Sequence, residues 1–214
     1  MIKIIKNIIR KKPTVFAFVG YRGCGKNFVA EKLEEALKKE NISISTFAFA
    51  DPIKKIVSEL FVFTPEMIEK NKAKEYNHLR FPVGSRNLNM RNILIKTGEL
   101  IKKYTFENIF VDKIIDDIKN DQSQIKFITD LRFDVELEKL RKNTNLKIIK
   151  VSPIVDDNYF GNCKNCDFLN DDEKEFIQNI SKTEIFFEFY NNCEDNVIFE
   201  DRIEELKNKI KEAK

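Results

Sequence analysis

The run Gly20-Tyr-Arg-Gly-Cys-Gly-Lys26 limits what this chain can fold into more than any other stretch. It has the spacing G-x-x-x-x-G-K. Before it stands Val15-Phe-Ala-Phe-Val19, β-branched and aromatic residues that read as a strand buried on both faces. After it, from Asn27 to Lys39, Val29, Leu33 and Leu37 recur at helical spacing opposite a face of Lys and Glu. Strand, glycine loop and helix in that order are the setting in which main-chain N–H groups curl round a phosphate, reinforced by the positive end of the helix. Gly20, Gly23 and Gly25 permit the bend, and Lys26 reaches the β- and γ-phosphates. A glycine turn that merely joins strand to helix requires neither this spacing nor a lysine at its end. The next residue is Asn27, where a magnesium-holding Ser or Thr is usual, so the metal is expected mainly through water. Arg22 has no structural need for its charge, which favours contact with a transferring phosphoryl group over simple solvation.

The alternation of strands and helices continues down the chain. Strands are expected at Ile42 to Ala50, Ile125 to Thr129, Leu146 to Ser152 and Asn196 to Phe199. Helices are expected from Asp51-Pro52 through Leu60, over Met90 to Lys103, Phe106 to Asn120, Asp134 to Lys142 and Glu173 to Ser181, and from Asp201 onward. This order predicts a three-layer α/β/α fold with a mainly parallel central sheet. At 214 residues the chain has room for about one domain, here residues 13–214, behind a basic amphipathic lead-in at 1–12. Residues 64–89 are polar, hold the sole histidine, His78, and carry turn signals at Pro65, Pro82 and Gly84. They read as an insertion acting as a lid or acceptor-binding region.

Charge restricts the partners. Lys plus Arg exceed Asp plus Glu by 38 − 35 = +3, which demands no polyanion, so an anion site has to be local, and neither nucleic acid nor a membrane is expected. No stretch approaches the roughly 20 apolar residues of a membrane span. Cys24, Cys163, Cys166 and Cys193 are too few and too scattered for a secreted staple framework, which points to a reducing, cytoplasmic setting. For a structural zinc site Cys163-x-x-Cys166 would need further ligands from Cys193, distant Cys24 and His78, and a redox pair is a weak signal outside a thioredoxin-like setting, so ordinary thiols in a loop is the preferred reading. Phe186, Phe187 and Phe189 read as core.

Further candidates lie at strand and helix ends. Thr129-Asp130-Leu-Arg132-Phe133 follows an apolar strand, where open parallel sheets place ligand-binding groups. Asp130 is positioned to organise Mg2+ or its waters, and Arg132 to clamp a phosphate. Arg91 opens a helix carrying Lys96, Gly98 and Glu99, whose charges on spacing alone are a solvated face. Gly98 costs about 1 kcal/mol relative to Ala in mid-helix, which suggests close approach by another helix or a substrate.

Taken together, Gly20 to Ala30 (GYRGCGKNFVA), Phe49 to Lys54 (FADPIK), Arg91 to Glu99 (RNILIKTGE), Thr129 to Glu136 (TDLRFDVE) and Asp195 to Leu206 (DNVIFEDRIEEL) resemble the phage and viral deoxynucleoside monophosphate kinases. They also resemble the related animal-type phosphomevalonate kinases. The segments occur in the family's order and cover most of the chain from Val15 to Lys209. In that family an Asp is typical where Asn27 stands. The resemblance implies a P-loop kinase fold, with ATP held by Gly20, Arg22, Gly23, Cys24, Gly25, Lys26, Asn27 and Phe28. It implies catalytic roles for Lys26, Arg22, Arg132 and Asp130, acceptor contacts at Asp51, Lys54, Arg91 and Glu99, and Mg2+ near Asn27 and Asp130. The implied reaction moves the γ-phosphoryl group of ATP to a (deoxy)nucleoside monophosphate. The alternatives are phosphomevalonate as acceptor, or nucleotide binding without catalysis. Small-molecule nucleotides are the expected partners, and a homodimer is the expected assembly, if any. A Lys-, Asn- and Ile-heavy composition suits an AT-rich genome such as that of a virus or a parasite, and a viral protein would act in the host cytoplasm. The family's His-x-Ser-Glu segment survives only as Ser181-Lys-Thr-Glu184.

Overall fold

The computed structural model describes residues 12–21, 23–61, 64, 66–68, 90–153, 171–180, 182–191 and 196–214. Arg22, most of the 64–89 segment with His78, nearly all of the lead-in, and Cys163, Cys166 and Cys193 lie outside the described residues. Contacts divide the chain into two compact units, Met1–Thr46 with Ile118–Lys214, and Phe47–Asp117.

The first unit is built on a five-stranded sheet of order β2-β3-β1-β4-β5. Its strands are β1 (Thr14–Val19), β2 (Ile44–Phe47), β3 (Ile125–Ile128), β4 (Asn145–Pro153) and β5 (Ile185–Asn191). β1 runs parallel to β3 on one side and to β4 on the other, with Ala17 opposite both Ile128 and Ile148. β5 extends the sheet parallel to β4. Parallel strands need crossovers, and helices supply them, so all six residues of β1 are buried, as expected for a strand covered on both faces.

On one face α1 (Lys26–Lys38) and α7 (Asn196–Glu212) pack together and against the sheet. Their inward residues Val29, Leu33, Leu37, Phe199, Ile203, Leu206 and Ile210 recur every three or four positions and meet Phe16, Phe18, Phe127, Ile149, Val151, Phe187 and Phe189. Aromatic edges mesh there, with Phe127 at 5.3 Å from Phe18 and Phe189 at 5.5 Å from Phe199, both edge-to-face. On the other face α5 (Asp134–Asn143) lies against β4. β3 buries one charge, Lys126, whose ammonium bonds the Ser123 carbonyl and stands 3.6 Å from Asp121. α6 (Asp171–Asn179) precedes a 3₁₀ turn at Lys182–Glu184. This is the expected α/β architecture, a mainly parallel sheet with helices on its faces.

The second unit holds α2 (Asp51–Phe61), α3 (Met90–Tyr104) and most of α4 (Ile109–Asn120). α2 packs on α3 through Val57, Met90 and Ile93, with Ile53 and Leu94 beside them. At Gly98 the helices lie in tight contact, since a Cβ there would stand 3.0 Å from Ile53 Cδ1. The close approach expected at Gly98 is therefore made by another helix.

The tail differs from the sequence-based expectation. Asn196 to Phe199 is the first turn of α7, not a strand, because Phe199, Ile203, Leu206 and Ile210 bury at helical spacing while Val197 is 71% exposed. The last strand is Ile185–Asn191, where Phe187, Phe189 and Asn191 point inward in alternation. β2 is also shorter than expected. Ala48 and Asp51 exchange hydrogen bonds, Asp51 N–H to the Ala48 carbonyl at 3.0 Å and Ala48 N–H to the Asp51 carboxylate at 2.8 Å, which turns the chain into α2.

Candidate functional site

Gly20 follows β1, Asp130 follows β3 and Asn191 closes β5, so the parallel arrangement brings their backbones to the same edge of the sheet. The glycine loop is wound as its spacing predicts. Gly20, Gly23 and Gly25 have φ of 152°, 79° and 88°. Gly25 is the N-cap of α1, offers no side-chain cap, and is followed by a first turn without an acidic residue. The first-turn N–H groups of a helix have no intrahelical acceptor, and an anion is a partner suited to them.

Lys26 arches back over the loop. Its ammonium donates to the Gly20 carbonyl at 2.8 Å and the Tyr21 carbonyl at 2.9 Å, and stands 3.8 Å from Cys24 Sγ. The charge thus lies against the bend the glycines form. Cys24 is buried, and burial pushes its thiol upward in pKa against the smaller opposing pull of Lys26, so it stays a protonated packing group. Asn27 is exposed on the first turn of α1. Phe28 is 49% exposed and leans on Phe199, with ring centroids 5.2 Å apart and Lys32 at 6.0 Å.

Asp130 and Arg132 sit half-buried on the turn from β3 into α5. Glu136, which was not singled out from the sequence, sets that turn. One oxygen of its carboxyl group accepts from Arg132 N–H at 2.8 Å and Phe133 N–H at 3.2 Å. Burial, and then the Asp130 charge, push its pKa from near 4.5 up to about 8, against the opposing pull of these N–H groups and of Arg132. Between about pH 4.5 and 8 the folded chain holds a proton that the unfolded chain has lost, so stability falls as pH rises through that window and levels off above it. Glu136→Gln keeps an oxygen for both N–H groups and carries no charge. Urea unfolding at pH 5, 6.5 and 8 should show the parent losing a few kcal/mol across this range, and the variant losing much less. Equal slopes would refute a protonated Glu136.

The expected acceptor residues lie in the second unit. Asp51 and Lys54 pair at 3.0 Å on the first turn of α2. Arg91 and Glu99 stand on α3, in its first turn and two turns further on. Among the described residues no group of three or more His, Cys, Asp or Glu is arranged to hold a metal, and no helix is long and apolar enough to cross a membrane.

No family model matches the chain, and no curated protein matches it. Solved structures similar to it include dephospho-CoA kinase from Campylobacter jejuni, at 14% identity, covering 92% of this chain and 97% of that one, with a TM-score of 0.47. The Mycobacterium tuberculosis APS kinase in complex with AMPPNP and APS is 10% identical over 94% and 99%, with a TM-score of 0.46. Shikimate kinase from Bacteroides thetaiotaomicron is 15% identical over 92% and 98%, with a TM-score of 0.44. The fold and the loop are established by the strand order, the glycine dihedrals and the lysine contacts of this chain itself.

Proposed function

We propose that this chain is an ATP-dependent phosphotransferase of the nucleoside monophosphate kinase type, acting on a (deoxy)nucleoside monophosphate to give the diphosphate and ADP. The observation that carries the reading is the wound Gly20–Lys26 loop, with three glycines at positive φ, an uncapped helix start and the Lys26 ammonium across it. That arrangement suits a chain of phosphates gripped by main-chain N–H groups and the Lys26 ammonium. A phosphate oxygen of the acceptor attacks the γ-phosphorus, the bond from that phosphorus to the β–γ bridging oxygen breaks, and ADP leaves with the electron pair. Such a transfer asks for alignment and charge neutralisation, with no covalent intermediate on the protein.

Lys26 leaves the Gly20 and Tyr21 carbonyls for the β- and γ-phosphates and offsets charge as it moves to the leaving oxygen. Arg132, and Arg22 from the sequence motif, are assigned to the phosphoryl oxygens. Asp51, Lys54, Arg91 and Glu99 are assigned to the acceptor by resemblance. Asp130 and Asn27 are oxygen donors of the hard kind that Mg2+ takes, too few to hold it alone, which fits a metal arriving with the nucleotide and keeping water ligands. Bound there, Mg2+ would neutralise phosphate charge.

The test is ADP release by the purified chain with ATP and Mg2+ across the common dNMPs and NMPs plus phosphomevalonate. Turnover with at least one nucleoside monophosphate is expected. Turnover with phosphomevalonate alone transfers the assignment to that acceptor, a reading that Phe28 after Lys26-Asn27 and the Arg91 to Glu99 stretch favour. ATP binding without ADP from any acceptor leaves a nucleotide-binding protein, the reading that Asn27 favours.

A further inference from the structure

We propose that Asn191 is a positioning residue that holds the phosphate loop in its nucleotide-gripping shape. The inference rests on the reading of that loop as an ATP site. Asn191 ends β5, opposite Pro153 of β4, and is 5% exposed. Its Nδ2–H donates to the Cys24 carbonyl at 3.0 Å, tying an edge strand to a loop 167 positions away in sequence. The same nitrogen stands 2.2 Å from where a Cβ on Gly25 would lie. The carboxamide therefore fills the space that glycine leaves, and Gly25 is required both by its φ of 88° and by this neighbour.

The consequence for the loop follows from peptide geometry. In a trans peptide the C=O and the N–H of one plane point in opposite directions. With the Cys24 carbonyl pinned to Asn191, the Gly25 N–H is directed away from β5, leaving it to serve as one of the donors for phosphate. Without the pin, that plane is free to turn and present an oxygen where an anion has to sit.

A second observation separates this from ordinary packing. Asn191 Oδ1 is buried with no hydrogen-bond partner among the described residues. An unpartnered buried acceptor is unfavourable, and an apolar side chain of similar size would fill the space without it. A carboxamide here makes sense through its other half, the Nδ2–H that Cys24 uses. Shape alone does not require one.

The experiment uses the full chain with ATP and Mg2+, measuring the Kd for ATP by calorimetry and the KM for ATP and for whichever acceptor turns over. Asn191→Ala removes the contact, and Asn191→Asp keeps its size while replacing the donor by an acceptor. Both are expected to weaken ATP binding at least tenfold, with the KM for ATP rising in step and the KM for the acceptor within twofold of the parent. ATP affinity within twofold of the parent in either variant overturns the assignment, as does a loss shared equally by ATP and acceptor. A parent chain that binds no ATP overturns the proposed function along with it, whereas a parent that binds and variants that bind equally well overturn this inference alone. Should neither variant show a cooperative melt, the parent's Asn191 side-chain amide protons are followed by NMR. Slow exchange, slower still with ATP, supports the pin, and exchange at the rate of an exposed carboxamide refutes it.

Discussion

Gly20→Ala is expected to abolish ATP binding and to lower the melting temperature by on the order of 10 °C. A Cβ at this position would stand 2.1 Å from the Val151 carbonyl oxygen, 3.2 Å from its carbon and 3.0 Å from Cys24 Sγ. The obstacle is main chain, not the end of a flexible side chain. Val151 lies within β4, fully buried and paired with Phe189 of β5, so it cannot retreat without breaking the sheet. The φ of 152° adds backbone strain that glycine alone avoids. Overpacking and strain together cost roughly 2–6 kcal/mol, a large part of the roughly 5–15 kcal/mol that holds an ordinary domain folded. Gly98→Ala is the internal comparison. Its Cβ would meet only the tip of Ile53, and replacing a mid-helix glycine offsets the crowding by about 1 kcal/mol, so its melting temperature should move little. Thermal melts and ATP calorimetry on both proteins decide the matter, and a Gly20→Ala chain that melts and binds like the parent would contradict the tight loop described here.

The strand, loop and helix from Thr14 to Lys38 were legible because independent signals agree there: a buried β-branched run, a fixed glycine spacing and an amphipathic repeat. The tail was harder for the same physical reason in reverse. In Ile185-Phe-Phe-Glu-Phe-Tyr-Asn191 the aromatic residues fall on both faces, so the alternation that turns Phe187 and Phe189 inward is not apparent before the sheet is known. Val197-Ile198-Phe199 shows the local preference of a strand, yet packing of α7 on α1 overrides it and leaves Val197 and Ile198 on the surface.

The site divides in the same way. The glycine loop announces itself by spacing, whereas the side chains that hold it and the β3–α5 turn do not. Glu136 stands three residues after Phe133, which lacks the side-chain oxygen of a capping box, so nothing in the local pattern marks the carboxyl that bonds Arg132 and Phe133 N–H. Asn191 follows Tyr190 and precedes another Asn, a pattern that reads as a turn, and only the pairing of β5 with β4 brings it to Cys24. Asp51, Lys54, Arg91 and Glu99 came from resemblance alone, since charges on helical faces are ordinarily solvated.

Lys26→Ala is expected to leave the fold standing and to cut kcat/KM for phosphoryl transfer by about 10²–10⁴-fold. In the structure the ammonium makes two hydrogen bonds to loop carbonyls, at 2.8 and 2.9 Å, and bonds from a charged group contribute roughly 1.5–3 kcal/mol each, less in a half-buried loop where water can replace the lysine. The melting temperature should therefore fall by only a few degrees, unlike that of the Gly20→Ala chain. Catalysis is a different matter, because the charge that builds on the oxygen leaving the γ-phosphorus loses the one cation that the loop itself carries among its described residues. Lys26→Arg should rescue poorly. A planar guanidinium is wider than an ammonium and cannot occupy the same point between Gly20 and Tyr21 carbonyls on its way to a phosphate. The measurements are ADP release with the best acceptor and thermal melting of the same preparations. Near-parental turnover in the alanine variant would remove Lys26 from the reaction, while loss of turnover together with collapse of the fold would make its role structural.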